Sequence, residues 1–248
     1  MNLQDFFTQH PKLALAFSGG VDSAYLLYAS LQAGCDVRAY YVKSPFQPLF
    51  ELEDAKKLAD LLNASLTILE LDVFEDPSIT ANPSNRCYFC KKKILTAIRE
   101  TAKKDGYFVL MDGNNASDDA DDRPGMKAVF ELEVRSPLRE CGITKAEVRR
   151  LSKEAGLFTW NKPAYACLAT RIPTGDTITL EKLTATEISE QFLSSLGFYD
   201  FRIRLLGSAA KIQVREEQLE KLLLHRKEIL EKLKPYYSAV TVDLEVRS

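Results

Sequence analysis

Two glycines flanked by serine hydroxyls follow an apolar run near the start of the chain. Residues 18–23 read SGGVDS, and residues 13–17 before them are all apolar, as in a buried strand. A loop between such a strand and a helix presents backbone N–H groups and the positive helix end to an anion. A simple glycine turn would explain the glycines alone, but the whole string predicts a phosphate-binding loop. The loop is not of the Walker type, because no Gly-Lys-Ser/Thr follows.

Cysteines provide the second candidate chemistry. Cys87 and Cys90 are separated by two residues just before a predicted helix, among basic residues that, with the helix end, lower a thiol pKa. Two incidental cysteines at a helix start remain the alternative for this pair. Cys167 lies in a loop whose prolines and small residues suit the presentation of a side chain. If the three thiols converge, they suit an iron–sulfur cluster with one iron left open, whereas structural zinc prefers four ligands and no fourth is evident.

The remaining cysteines and histidines receive a structural interpretation. Cys35 follows a glycine at a predicted helix end, and Cys141 precedes another helix. His10 and His225 lie outside the cysteine and glycine motifs, and His225 falls within a leucine-rich helix. We therefore expect packing or surface roles for all four side chains.

Composition limits the class of protein. The chain has 248 residues, 46% of them hydrophobic, which is enough for one large domain or two small ones. Its formal net charge of −2 gives no overall attraction to nucleic acid, so a small-molecule substrate is favoured. No apolar run approaches the roughly 18 residues of a membrane-spanning helix, and the first residues lack the basic region of a signal peptide. We expect a cytoplasmic protein with no membrane partner, in a compartment where cysteines rarely form disulfides.

The elements that must position these groups alternate between strands and helices. Apolar runs predict strands at 13–17, 37–42, 66–71 and 107–111, and helical periodicity predicts helices at about 22–33, 52–62 and 91–104. Such alternation implies an α/β fold with a doubly wound parallel sheet. In that fold the turns at 18–23, 43–47 and 112–117 gather beyond the carboxyl ends of the strands and line one crevice.

A change of pattern near residues 173–178 marks a predicted domain boundary. Beyond it we expect a helix at about 179–196, strands at 200–206 and 209–214, a helix at 216–233 and a strand at 237–245. The chain is thus expected to comprise a larger domain, residues 1–175, and a smaller α+β domain, residues 176–248. Within the larger domain, residues 117–125 are rich in aspartate and lack periodicity, so they are expected to form an exposed loop.

SGGVDS directly after a strand resembles the signature of the PP-loop ATP pyrophosphatases. These enzymes cleave ATP to AMP and pyrophosphate while they activate a carboxyl or carbonyl oxygen as an adenylate. The resemblance implies an ATP-using enzyme in which magnesium neutralises charge between the phosphates. It also assigns the pyrophosphate portion of ATP to the loop residues Ser18, Gly19, Gly20, Asp22 and Ser23.

Four further motifs, in order along the chain, narrow the resemblance. They are residues 43–48 (KSPFQP), 85–91 (NRCYFCK), 112–118 (DGNNASD) and 163–171 (PAYACLATR). Together with the phosphate loop they resemble the LarE family across nearly the whole chain. LarE proteins adenylylate a carboxylate of pyridinium-3,5-biscarboxylic acid mononucleotide and convert it to a thiocarboxylate, a step in making the nickel-pincer nucleotide of lactate racemase. The resemblance implies a homo-oligomer, a trimer or hexamer, assembled through the smaller domain.

The resemblance also carries roles to individual residues. Ligand-binding roles pass to six residues outside the phosphate loop: Lys43, Gly113, Arg171, Glu190, Arg202 and Arg204. Arg202 and Arg204 are two apart on a predicted strand, so both side chains point to one face and suit a nucleotide phosphate. Without the family, a solvated strand face is the alternative for this pair. Arg123, in the aspartate-rich loop, receives no assigned role.

Two sulfur sources occur in the family. Some members sacrifice one cysteine and retain dehydroalanine, whereas members with three active-site cysteines are thought to hold a [4Fe-4S] cluster that carries an extra sulfide. This chain resembles the second type, with Cys87, Cys90 and Cys167 as cluster ligands and catalytic residues. Cys167 also occupies the position of the sacrificial cysteine, so both sulfur routes stay open.

Two other functions compete with this interpretation. A PP-loop tRNA thiolase would use the same adenylate chemistry, but the chain shows neither an added RNA-binding module nor a basic tail, so no nucleic-acid partner is expected. A non-catalytic iron–sulfur or nucleotide-binding protein would bind ATP without releasing pyrophosphate. Pyrophosphate release therefore separates an enzyme from a scaffold.

Overall fold

The structure, a computed structural model, describes residues 2–118 and 124–247. The chain divides into two compact units. Unit 1 comprises Met1–Val73 and Asn85–Ala164, and unit 2 comprises Phe74–Ser84 and Tyr165–Ser248. The second unit therefore begins before the boundary predicted near residues 173–178, and it also takes in a short earlier segment.

Hydrogen bonds within unit 2 explain why that earlier segment belongs to it. The Asn82 side chain donates to the carbonyl oxygens of Ile172 and Pro173 at 3.3 and 2.7 Å. The backbone N–H of Gly175 donates to the carbonyl of Asn82 at 2.9 Å. These contacts link positions about ninety residues apart, so no local pattern could have revealed them.

The described residues form strands and helices close to the predicted ones. The strands are β1 (Lys12–Ala16), β2 (Asp36–Lys43), β3 (Ser65–Glu70), β4 (Leu110–Met111), β5 (Arg202–Leu206), β6 (Ala209–Gln213) and β7 (Val240–Val242). The α-helices are α1 (Leu3–Gln9), α2 (Val21–Gln32), α3 (Leu49–Leu61), α4 (Pro77–Thr80), α5 (Arg86–Lys104), α6 (Pro124–Glu131), α7 (Pro137–Glu140), α8 (Lys145–Glu154), α9 (Leu180–Ser195), α10 (Leu219–Leu224) and α11 (Arg226–Leu233). Short 3-10 helices cover Phe158–Asn161, Leu168–Arg171 and Glu216–Gln218.

Unit 1 is built on a parallel four-stranded sheet with the order β3-β2-β1-β4, which confirms the predicted fold class. Successive residues of a strand point to opposite faces, and both faces are buried here. One face presents Leu13, Leu15, Val37, Ala39, Tyr41 and Met111 to a core shared with α1, α2, α3, α7 and α8. The other face presents Ala14, Tyr40, Val42 and Leu110 to a core shared with α5 and α6. Helices on both faces make the sheet doubly wound.

Helix α5 begins earlier than the sequence predicted. The prediction placed its start at Lys91, with Cys87 and Cys90 before it, whereas the helix begins at Arg86. No glycine or proline interrupts residues 86–104, and basic residues in the last turn suit the negative end of the helix dipole. The two cysteines therefore lie within the first turns of the helix rather than ahead of it.

Unit 2 contains a three-stranded sheet with the order β5-β6-β7, in which β5 pairs antiparallel and β7 pairs parallel to β6. The predicted helix at 216–233 is divided into α10 and α11 at His225, and the predicted strand at 237–245 is reduced to three residues. Across the part of the chain that the structure describes, none of the helices has the length and hydropathy needed to cross a membrane.

Candidate functional site

The phosphate loop, residues 18–23, is held in shape by its own hydroxyl groups. The Ser18 and Ser23 hydroxyls lie 3.1 Å apart, and the backbone N–H of Gly20 donates to Ser18 Oγ at 3.3 Å. Gly19 has a φ of +70°, which favours glycine, and a Cβ there would lie 3.3 Å from the Ala55 backbone nitrogen. Gly20 caps α2 without a side chain, so no capping side chain occupies the N–H groups of the first turn.

A cleft of about 620 Å³ opens beside the phosphate loop. That volume lies within the range of about 300–1,000 Å³ that small-molecule sites occupy. Part of its lining is apolar and part is polar, a combination that suits a base and its phosphates. The apolar part includes Val42, Ile94, Leu95 and Ile98, and the polar part includes Ser18, Asp22, Ser23, Lys91, Asp112, Asn115, Asp118 and Lys145.

Two lysines that the sequence analysis did not single out lie in this cleft. Lys145, the first residue of α8, forms an ion pair with Asp22 of the phosphate loop. Asn115 donates to the other oxygen of Asp22 at 3.2 Å. Lys91 lies 3.6 Å from an Asp112 carboxylate oxygen. Both cations can neutralise a polyphosphate. Lys91 is the last residue of the 85–91 motif, whereas no motif of the sequence analysis includes Lys145.

Asp112, immediately after β4, is 5% exposed, and its carboxylate contacts Lys91 and two neutral polar residues. Its carboxylate accepts a hydrogen bond from Ser136 Oγ at 2.8 Å and from the backbone N–H of Asn114 at 3.1 Å. Burial raises its pKa, and the opposing effects of Lys91 and Ser136 do not overcome that. A buried carboxylate of this kind holds Lys91 in place at the cleft.

Gly113 brings the loop after β4 against the phosphate loop. A Cβ at this position would lie 2.9 Å from the backbone nitrogen of Ser23 and 3.2 Å from its Cα. Only glycine allows this approach, so Gly113 shapes the cleft through its lack of a side chain. Lys43, at the end of β2, instead donates from Nζ to the carbonyl of Gln47, a residue that lines the cleft.

The thiol pair and the cleft share helix α5. Cys87 and Cys90 are three positions apart, so their side chains lie on the same side of the helix. Cys87 is exposed and Cys90 is partly buried, and Arg86 Nη2 lies 3.8 Å from Cys87 Sγ. Lys91, the next residue after Cys90, lines the cleft. Helix α5 therefore carries both the thiol pair and a residue that lines the cleft.

In unit 2 a buried ion pair supports the loop that contains Cys167. Arg171 and Glu190 form two hydrogen bonds, Nε to Oε1 at 2.8 Å and Nη2 to Oε2 at 3.0 Å. Glu190 also accepts hydrogen bonds from Tyr165 Oη at 2.6 Å and from the backbone N–H of Ile203 at 2.9 Å. Arg171 Nη1 donates to the carbonyl of Ala166 at 2.9 Å. Arg171 and Glu190 therefore orient the Cys167 loop, and direct contact of either residue with a ligand stays a prediction.

Arg202 and Arg204 lie on one face of β5, two positions apart, as a phosphate-binding pair requires. Arg204 donates to Gln213 Oε1 at 2.6 Å and to the carbonyl of Thr170 at 2.9 Å. Burial lowers the pKa of both arginines, and the positive charges of Arg171 and Arg247 lower it further. Since arginine stays protonated, an anion at this face would relieve the repulsion.

No group of three or more histidine, cysteine, aspartate or glutamate side chains is arranged to hold a metal ion within residues 2–118 and 124–247. Cys35 is buried and contacts the carbonyls of Phe7 and His10 at 3.8 Å, a packing role. Cys141 is partly buried, and His225 joins α10 to α11. Arg123 and most of the aspartate-rich loop lie outside the described residues.

Several known proteins are similar in sequence to this chain over most of its length. The family model described as "Thiamine biosynthesis protein (ThiI)" matches residues 7–190. Pyridinium-3,5-bisthiocarboxylic acid mononucleotide synthase of Lactiplantibacillus plantarum is 33% identical, over 94% of this chain and 86% of that protein. An uncharacterized protein of Synechocystis sp. is 36% identical, over 98% of this chain and 92% of its own length. The tRNA-specific 2-thiouridylase of Pseudothermotoga lettingae is 26% identical, over 66% of this chain and 57% of its own length.

Proposed function

The chain belongs to the LarE family of PP-loop ATP-dependent sulfurtransferases, and we propose that it converts a carboxylate of pyridinium-3,5-biscarboxylic acid mononucleotide to a thiocarboxylate. The synthase activity for which the Lactiplantibacillus plantarum relative is named supports this substrate. The observation that carries the proposal is the phosphate loop at the start of α2, beside a cleft whose wall includes the thiol-bearing helix α5. Adenylylation and sulfur transfer both need those features within reach of one substrate.

Adenylylation uses the cleft. The substrate carboxylate attacks the α-phosphorus of ATP, the bond to the β-phosphate breaks, and pyrophosphate leaves. The N–H groups of the phosphate loop hold the departing pyrophosphate. Lys91 and Lys145 stabilise the negative charge that develops on the phosphates. The apolar part of the lining, Val42, Ile94, Leu95 and Ile98, packs against the adenine base.

Magnesium would bind between the phosphates and the carboxylates of the cleft. Asn115 joins two of these carboxylates, because its side chain donates to Asp22 at 3.2 Å and its backbone N–H donates to Asp118 at 2.9 Å. Magnesium prefers one or two carboxylates together with phosphate oxygens, so this donor set fits. Asp22 and Asp118 would hold the ion, which would supply charge neutralisation to the leaving pyrophosphate.

Sulfur transfer requires a sulfur nucleophile that attacks the acyl carbon of the adenylate and displaces AMP. Cys87 and Cys90, on one side of α5, fit two thiolate ligands of an iron–sulfur cluster. Cys167 would be the third ligand, and a [4Fe-4S] cluster held by these residues would supply the sulfide. Loss of the Cys167 sulfur itself is the alternative route within the same family.

Unit 2 would hold the substrate phosphate. Arg202 and Arg204 lie on one face of β5, near the positive charges of Arg171 and Arg247, which suits the phosphate of a mononucleotide. The positioning pair Arg171 and Glu190 fixes the Cys167 loop, and Glu190 also accepts a hydrogen bond from the backbone N–H of Ile203 in this strand. Self-association through the same unit, as a trimer or hexamer, is part of the proposal and rests on the family resemblance.

A tRNA thiolase is the competing function, since a 2-thiouridylase is among the similar proteins. That protein extends well beyond the match, which covers 57% of its length. The chain's net charge of −2 also offers no general attraction to RNA. We therefore place the small nucleotide ahead of tRNA as the substrate.

Pyrophosphate release is the first test. Purified protein is mixed anaerobically with ATP, magnesium and either the biscarboxylic acid mononucleotide or unmodified tRNA, and the products are analysed by mass spectrometry. We expect pyrophosphate and thiocarboxylate only with the mononucleotide. The Asp22→Asn variant should lose this activity, whereas Lys56→Met, an exposed lysine on α3, should retain it. Pyrophosphate release with tRNA alone would favour the competing function.

Iron content and the visible spectrum test the sulfur source. Wild-type protein is compared with Cys87→Ala, Cys90→Ala and Cys167→Ala, and Cys35→Ala is the control at a buried cysteine outside the site. We expect a charge-transfer absorption and acid-labile sulfide in the wild type and the control, lost in the other three. A colourless protein that transfers sulfur once and converts Cys167 to dehydroalanine would establish the sacrificial route instead.

A further inference from the structure

Lys162 is a largely buried cation that the proposed chemistry does not use. Its side chain is 16% exposed, and Nζ forms an ion pair with Asp54 of α3 at 2.7 Å. The same nitrogen lies 3.5 Å from the carbonyl oxygen of Gly19 in the phosphate loop. A lysine loses much conformational entropy when its side chain is fixed in this way, so we expect the contacts of Lys162 to contribute to structure or function.

The main chain of Lys162 is anchored as well as its side chain. Arg149 of α8 donates to the carbonyl of Trp160 at 2.7 Å and to the carbonyl of Lys162 at 2.9 Å. The backbone N–H of Lys162 donates to Thr159 at 3.0 Å, which closes the preceding 3-10 helix. Lys162 thus links α3, α8 and the phosphate loop, all within unit 1.

The contact with Gly19 bears on how the loop presents its N–H groups. In a trans peptide the carbonyl and the next N–H point in opposite directions, so the Gly19 carbonyl and the Gly20 N–H face opposite sides. The carbonyl faces Lys162, and the Gly20 N–H faces Ser18 Oγ at 3.3 Å. Ser18 lines the cleft, so the Gly20 N–H points toward a cleft residue and away from Lys162.

A peptide between two glycines is the least hindered peptide to rotate, because neither residue has a Cβ. If the Gly19–Gly20 peptide flipped, its carbonyl oxygen would replace an N–H on the side where phosphate binds. That oxygen would repel an anion. An ammonium group held on the opposite side by Asp54 opposes the flip through its attraction for the carbonyl.

We infer that Lys162 is a positioning residue that locks the Gly19–Gly20 peptide in the orientation that binds phosphate. The inference rests on the proposed binding of ATP. Lys162 belongs to the segment that precedes the Cys167 loop. Ala164, two residues later in that segment, lines the cleft. The expected effect is on affinity for phosphate groups and not on affinity for the base.

The test compares the binding of a non-hydrolysable ATP analogue with the binding of adenosine, by calorimetry, in the wild type and in Lys162→Met. We expect the analogue to bind Lys162→Met about tenfold more weakly, the scale for a lost hydrogen bond to a charged group. Adenosine should bind both proteins equally. Asp54→Asn should weaken analogue binding in the same direction, Lys162→Arg should restore most of it, and Lys56→Met should match the wild type.

The outcomes separate the two hypotheses. If the wild type does not bind the ATP analogue, the proposed function fails. If the wild type binds it and Lys162→Met binds it equally well, the locking role fails while the proposed function survives. Parallel loss of adenosine and analogue affinity, with a lowered thermal midpoint, would reduce Lys162 to a purely structural residue and overturn the inference.

Discussion

Arg171 and Glu190 form a bidentate ion pair in unit 2 in which the arginine side chain is 1% exposed and the glutamate side chain 7%. Every described partner of Glu190 is a donor: Arg171, Tyr165 Oη and the backbone N–H of Ile203. Desolvation makes such a pair costly to break, because removal of one member leaves the other charge buried without compensation. The pair is therefore a sensitive point for the stability of unit 2.

Replacement of Glu190 by alanine should destabilise the protein by about 3–5 kcal/mol, the cost of a buried ion pair with one partner removed. The measurement is urea unfolding followed by circular dichroism. Arg150→Ala is the control, because the Arg150–Glu154 pair has both side chains more than half exposed. That variant should lose less than about 1 kcal/mol. Equal losses in the two variants would contradict the role given to burial.

Replacement of Gly113 by alanine should disturb the phosphate loop. The new Cβ would meet the Ser23 backbone at 2.9 and 3.2 Å, and backbone atoms cannot move aside as a flexible side chain can. We expect a loss of about 1–3 kcal/mol of stability and weaker ATP binding. Gly125→Ala is a control for stability alone, because its Cβ would meet the flexible Lys91 side chain at 3.2 Å. If Gly113→Ala binds ATP normally, the close approach of the two loops is unimportant for binding.

Replacement of Lys145 by methionine should reduce catalysis. The lysine lies beside Asp22 in the cleft, and its loss removes one of the positive charges that stabilise the phosphates of ATP. We expect kcat/KM for ATP in pyrophosphate release to fall about 10- to 100-fold, the equivalent of one charge-assisted hydrogen bond. Lys153→Met, at the exposed end of the same helix, should leave kcat/KM unchanged. An unchanged value in Lys145→Met would remove Lys145 from the site.

The raised pKa of Asp112 predicts a specific pH dependence. The folded protein holds the proton more tightly than the unfolded chain, whose pKa is near 3.8, so the stability from this group is lost as pH rises through the folded pKa. Asp112→Asn cannot titrate. Its unfolding free energy relative to the wild type should therefore increase between pH 4 and pH 7.

Asp105 provides the opposite case for the same experiment. Hydrogen bonds, first from Tyr40 and then from Arg38, lower its pKa, so its contribution to stability is present above pH 3.8 and is lost as pH falls. Relative to the wild type, Asp105→Asn should therefore lose stability as pH rises toward 3.8, with little further change between pH 4 and pH 7. The same sign for both variants would show that burial does not dominate at Asp112.

Local sequence patterns were sufficient for the fold class and for the family. The alternation of strands and helices in unit 1, and the phosphate loop between β1 and α2, depend on contacts between near neighbours in sequence. The predicted α/β fold, membership of the LarE family and the assignment as an ATP-dependent sulfurtransferase are confirmed. The roles assigned to individual site residues stay predictions.

The start of α5 and the extent of unit 2 were less predictable from the sequence than the fold class and the family. Helix α5 begins at Arg86 rather than Lys91, since no residue in between stops a helix and its first turns contact α6, where Tyr88 Oη donates to Glu131 at 2.8 Å. The segment Phe74–Ser84 belongs to unit 2 through hydrogen bonds to residues near 172–178. Each of these results depends on contacts that only the folded chain makes.

The sequence by itself determined that this chain forms a phosphate loop at a strand–helix junction and carries a pair of thiols three positions apart. Only the tertiary structure decided which charged side chains lie beside the phosphate loop. Lys145 reaches Asp22 across 123 residues, and Lys162 reaches Gly19 across 143 residues. The physical reason is that an ion pair has no sequence period: it forms wherever packing of the elements brings opposite charges within a few ångströms, and that packing is a property of the whole unit.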